Sequence, residues 1–141
     1  MIAYVIGGGD FEPTSHPKWK YWLAKDLVVW MSHKVEKPIK FRAKSGYLIA
    51  RWDGHILTIF RGYVMDGATL WPDHKKGMRG FAVHDFGYQI GQILSREQWD
   101  QVMLSIHKHD GYLARHIVYA GVRAGGWNFF GKSEPVHITE V

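Results

Sequence analysis

Gly80–Tyr88 reads GFAVHDFGY and Ser95–Leu104 reads SREQWDQVML, and these two stretches decide the fold. In the first, Phe81, His84, Asp85, Tyr88 and Gln89 recur at helical spacing, and Gly91 is placed to stop the helix. In the second, Ser95 and Gln98 have the spacing of a capping box, in which each side chain satisfies the other residue's free backbone N–H. Trp99, Val102, Met103, Ile106 and His107 follow as an apolar stripe that closes at Gly111. Two helices joined by so short a link run antiparallel. His84 lies roughly six residues before the turn and Asp100 roughly five after it, so at about 1.5 Å per residue they stand at nearly the same height. A third helix is expected from Tyr112 to Ala124, with Leu113, His116, Ile117, Ala120 and Val122 along it and Gly125-Gly126 as the break.

Upstream, the runs KPIKFRAKS (37–45), GYLIARW (46–52) and ILTIFRGYV (56–64) are rich in β-branched and aromatic residues. Ser45-Gly46 separates the first two. Asp53-Gly54 is a two-residue hairpin signal between the second and third, with Trp52 and Ile56 expected to flank the turn. These runs predict an antiparallel meander. Residues 19–31 alternate with a period that suits either a strand or a helix with one wet corner. Residues 1–17 hold the β-prone AYVI and then Gly7-Gly8-Gly9, with neither GxGxxG nor Gly-Lys-Ser/Thr following, and read as a flexible leading segment. The expected fold is therefore α+β in a single domain, residues 1–141: an N-terminal antiparallel β-meander, then a helical part with an antiparallel His-Asp helix pair. Residues 18–65 are mainly strands, 77–124 mainly helices, and 125–141 an extended, peripheral tail.

A hydrophobic fraction of 46% and an aromatic fraction of 15% supply a core without covalent staples. The chain has no cysteine, so neither a disulfide framework nor a thiolate zinc site exists, and any metal must use oxygen or imidazole ligands. The N-terminus lacks the pattern of a signal peptide, and no apolar stretch approaches the roughly 20 residues that span a bilayer. The net charge of +5 permits an anionic partner. Its basic residues are scattered apart from Lys75-Lys76 and the Lys18–Lys25 group, without an RNP, zinc-finger or P-loop pattern, so nucleic acid is not the expected partner.

A neutral imidazole accepts a proton near pH 7 when a carboxylate or carbonyl fixes its tautomer, which makes His84 a candidate base and Asp100 its orienter. Asp85 points about 100° away around the helix and cannot serve the same nitrogen, but it can hold a hard cation. Asp66, in VMDGATLWP, precedes a glycine in a turn-rich loop that offers a carboxylate beside backbone carbonyls. Two carboxylates with carbonyls and water suit calcium or magnesium better than zinc. The plainer alternatives are that His84-Asp85 packs or faces water, that Asp66-Gly67 is a turn, and that Asp100 complements a helix dipole. His107, His109, Asp110 and His116 match no HExxH spacing, and His107 and His109 face different ways.

In order and spacing, VMDGATLWP, GFAVHDFGY, SREQWDQVML and YAGVRAGGW resemble a family of small, mostly phage-encoded proteins of unknown function. The motifs of that family run G-F-x-x-D-G-A-S-x-P, V-H-D-x-x-Y, S-R-x-x-A-D-x-x-F and Y-x-x-V-R-x-x-G, and the match covers Ile56 to Trp127. Trp99 stands where that family has a small residue, which predicts a crowded groove between the helices. HDFGY is also similar to the active-site helix of bacterial and fungal secreted phospholipase A2, although this chain has no disulfides. That second resemblance implies His84 as base, Asp100 as its orienter, and Asp85 and Asp66 as calcium ligands, with a water attacking an ester carbonyl. The implied function is a metal-assisted hydrolase acting on lipid or cell-envelope ester or amide bonds. The alternatives are a non-catalytic virion component of tail or baseplate and a host-directed binding or inhibitor protein. The expected partners are virion proteins or an envelope substrate, and the expected location is the host cytoplasm or the virion.

Overall fold

Alternation of apolar and polar residues fills the first half of the chain, and it folds as strands in a computed structural model that describes residues 1–15, 21–65, 75–126, 130–131 and 136–140. These strands are β1 (Ala3–Gly7), β2 (Phe11–Pro13), β3 (Tyr21–Leu23), β4 (Leu27–Met31), β5 (Ile39–Ala43), β6 (Leu48–Asp53), β7 (Ile56–Ile59) and β8 (Val64–Met65). A 3-10 turn at Lys75–Gly77 leads into α1 (Met78–Ile90), followed by α2 (Arg96–Asp110), α3 (Arg115–Gly125) and β9 (Val136–Glu140). The main sheet has the order β1-β4-β7-β6-β5-β9, and β2-β3-β8 form a smaller one, all pairs antiparallel. The chain is thus α+β, with β5-β6-β7 as the expected meander. Among the described residues no helix is long and apolar enough to cross a membrane.

One face of the main sheet buries Leu27, Val29, Met31, Phe41, Ala50, Trp52, Leu57 and Ile59, and the α1–α2 pair lies on it. Phe86 meets Phe41 edge-on at 5.1 Å, and Trp99 meets Trp52 at 6.1 Å. α2 also guards the open edge of β1, where the Ser105 hydroxyl accepts from Ala3 N at 3.0 Å and donates to Ala3 O at 2.7 Å. An edge strand whose free N–H and C=O are occupied in this way cannot recruit another chain there.

Both signals that defined the helix pair are realised. Gly91 ends α1 in the left-handed region at φ 61°, and Ser95 opens α2 with the complete capping box. At the far end Tyr112 N reaches His107 O and Gly111 N reaches Lys108 O, a Schellman closure. That closure delays α3. Tyr112 is tied to the end of α2, with its ring 4.6 Å from the His107 ring, so the third helix begins at Arg115 and not at Tyr112.

Other expectations need correction. The leading segment is not a flexible lead-in, because Ala3–Gly7 pairs with β4 as an integral strand. Residues 21–31 form two strands, β3 and β4, broken over residues 24–26. The hairpin joins the two segments expected, but Asp53 pairs with Ile56, so the turn residues are Gly54 and His55. Gly54 has φ 58°, while His55 is not among the positive-φ residues. Positive φ at the first central residue alone is the type II′ pattern, whereas an Asp-Gly centre would have required it twice. The tail contributes β9, an edge strand paired with β5, and so is extended but part of the sheet.

The approach of α1 to α2 depends on two glycines seven residues apart on one face of α1. A Cβ on Gly80 would overlap the His107 ring, and a Cβ on Gly87 would overlap the Trp99 indole. Trp99 therefore does not crowd the groove as expected; it nests on bare backbone. Gly87→Ala should lower stability by about 1–3 kcal/mol through overpacking, although alanine is intrinsically the better helix former. Gly125→Ala, where an added Cβ meets nothing within 4 Å, should be neutral or stabilising when both variants are compared with wild type by urea titration.

Candidate functional site

His84 sits between Gly80 and Gly87 on the face of α1 that α2 approaches, four residues after the first and three before the second. The two glycine contacts flank the point where His84 faces Asp100. His84 Nε2 lies 2.7 Å from Asp100 Oδ1, with the histidine side chain 13% exposed and the aspartate 0%. The two candidate catalytic residues are thus brought together across the antiparallel pair.

Three further side chains converge on the same carboxylate. Tyr88 Oη donates to Asp100 Oδ1 at 2.6 Å, and Arg123 Nη1 donates to Oδ2 at 2.8 Å. Arg96 Nη1 stands 3.7 Å from Oδ2 and also donates to Val122 O at 3.0 Å, so it ties the end of α3 to the start of α2. Burial alone would push the Asp100 carboxyl up. The hydrogen bonds from His84 and Tyr88, the charge of His84 and the bond from Arg123 outweigh it and hold the group below its ordinary value. Asp100 is therefore a carboxylate, and at 2.7 Å the proton between the pair belongs to His84 Nε2. Burial and the bond to Asp100 push the Tyr88 phenol up, which keeps it a neutral donor. His84 Nδ1, on the other side of the ring, makes no hydrogen bond among the described residues.

Tyr88, Arg96 and Arg123 were not among the candidates. Tyr88 had a visible signal, its position four residues after His84 on one helix face, and Arg96 lies four before Asp100. Arg123 is separated from Asp100 by 23 residues and shows in the sequence only as the Arg of YAGVRAGGW.

Asp85 is exposed on α1. Asp66 and the rest of its loop, residues 66–74, lie outside the described residues. Among the described residues no three His, Asp or Glu side chains gather in a way that could hold a metal ion. The histidine-rich end of α2 is dispersed: His107 is buried against Phe81 and Tyr112, His109 lies against Tyr4, and Asp110 pairs with Arg79 at 2.6 Å. Comparison with protein-family models, with curated proteins and with solved structures gives no match for this chain.

His107 nevertheless has a chemical consequence. Its Nε2 bonds Gly77 O at 2.9 Å, and its Nδ1 is buried with no partner among the described residues. Burial is the largest cause that pushes its pKa down, to about 4. The folded value lies below the ordinary histidine value of about 6.5, so the unfolded chain binds the extra proton first as pH falls. Stability is complete above about pH 6.5 and declines toward pH 4, by an amount of order 2–3 kcal/mol. Urea titrations of wild type and His107→Asn between those pH values should show this decline in wild type alone; parallel curves would contradict it.

Proposed function

We propose that the protein is a hydrolase whose general base is His84, oriented by Asp100, acting on ester or amide bonds of lipid or cell envelope in a phage-related setting. The observation that supports this reading is the 2.7 Å bond from His84 Nε2 to a fully buried carboxylate. With Nε2 protonated, Nδ1 carries the lone pair. A water bonded to Nδ1 would give up its proton there as its oxygen attacks the carbonyl carbon, and Asp100 would stabilise the imidazolium that forms. The imidazolium then returns that proton to the departing alcohol or amine. Asp85 and Asp66 would hold calcium, which supplies Lewis acidity to the carbonyl oxygen. Virion proteins or an envelope substrate are the partners this reading assigns, with the host cytoplasm or the virion as its location.

A second reading rests on Arg123. A His-Asp dyad needs an oriented imidazole, whereas the bond from Arg123 to Asp100 fastens α3 to the helix pair and serves a scaffold equally well. A non-catalytic tail or baseplate component, or a host-directed binding protein, would keep the same cluster for rigidity.

The two readings diverge under mutation. On the hydrolase reading, His84→Ala lowers turnover of a phospholipid or peptidoglycan preparation by about 10²–10⁴-fold under conditions in which the variant is still folded, beyond what its loss of stability accounts for. A wild-type protein inert on both substrates, with His84→Ala losing about 1–3 kcal/mol of stability, supports the scaffold instead. For the cation, turnover by wild type is expected to rise on calcium addition and that response to be lost in Asp85→Asn. An Asp85→Asn protein with an unchanged calcium response would remove Asp85 from the ligand set.

A further inference from the structure

The outward face of α3 is apolar where a surface helix is expected to be polar. Leu113, in the turn leading into the helix, is 91% exposed, and Ile117 in its first turn is 62% exposed. Ala120, Gly121 and Ala124 continue the stripe toward the C-terminus and are also exposed. The opposite face is the one that packs, with Val118 fully buried and Arg123 reaching Asp100. α3 is therefore apolar on the side that faces its own core and on the side that faces away from it.

Charge identifies what such a face suits. From Gly111 to Gly126 there is no acidic residue, while Arg115 lies in the first turn of the helix; Arg123 is engaged with Asp100 on the inward face. Lys108 is exposed at the neighbouring end of α2. A second copy of this chain would bring like charges together, since each copy carries +5 overall and no acid on this helix. An anionic lipid surface reverses that: its headgroups attract the flanking cations, and its acyl boundary takes up the exposed aliphatic side chains.

We propose that α3 is a membrane-surface docking element, with Leu113 and Ile117 entering the interface of an anionic bilayer and the basic residues beside them meeting its headgroups. Docking stands on α3 alone and does not require turnover at His84. The same helix is fastened to the His84 cluster by its inward face, where Arg123 bonds Asp100.

The test is co-sedimentation of the full chain with vesicles of phosphatidylcholine, with and without phosphatidylglycerol, at low and high salt. Binding is expected to the anionic vesicles, weakened by salt, and much less to the neutral ones. Leu113→Ser with Ile117→Ser should reduce affinity by about 10-fold per side chain, because each forfeits the burial of one aliphatic group. Both positions are exposed, so the double variant should keep the wild-type melting temperature. No binding of wild type to anionic vesicles would overturn the proposal, and so would equal binding by the double variant. A concentration-dependent dimer, seen by light scattering and lost in the double variant, would assign the face to a second copy and also overturn it. Turnover of a soluble ester without vesicle binding would leave the hydrolase reading standing while this proposal fails; vesicle binding without turnover would do the reverse.

Discussion

The approach of α1 to α2 at Gly80 and Gly87 is the constraint on which the rest of this structure depends. Protein interiors are packed to crystal-like density, so two helices settle at the separation their facing side chains allow. Here one partner at each of two contacts is backbone, and the rings of His107 and Trp99 fill the space a side chain would have taken. That seats Trp99 between the helices and the sheet, in contact with Phe86 and Trp52. It also brings His84, midway between the glycines, within a hydrogen bond of α2.

The Asp100 carboxylate is the polar centre this packing encloses. A buried charge is tolerable only if it is paired and hydrogen-bonded, and Asp100 receives donors from α1 and α3 while Arg96 stands nearby on its own helix. The site and the three-helix junction are therefore the same object. Removing a donor leaves a buried charge short of a partner, which is why function here has to be judged from turnover and stability measured side by side. Arg123 adds a further coupling, since the helix that carries it also presents the exposed Leu113 and Ile117.

Much of this was legible in the sequence, for reasons that are local. Ser95 and Gln98 name a helix start, Gly91 and Gly111 name helix ends, and a short link between them sets the height of His84 against Asp100. The hairpin was legible to within one residue; it slipped because glycine can occupy either central position of a two-residue turn, and only the pairing of Asp53 with Ile56 decides which. Residues 21–31 stayed ambiguous because period-two alternation does not reveal the break at residues 24–26. The roles of Gly80, Gly87 and Arg123 were not legible, because each is defined by a partner on another element. Trp99 was misjudged for the same reason: its bulk looks obstructive until the glycine facing it is known.

The central claim is that Asp100 is ionised and holds His84 with its proton on Nε2, leaving Nδ1 to accept. Long-range proton–nitrogen correlation NMR of the histidine side chains, assigned with His84→Gln, reads that tautomer directly. For the singly protonated ring the account predicts the proton on Nε2 and a bare Nδ1 for His84, with the pattern lost in Asp100→Asn. A His84 ring protonated on Nδ1, or one exchanging freely between tautomers, would contradict it.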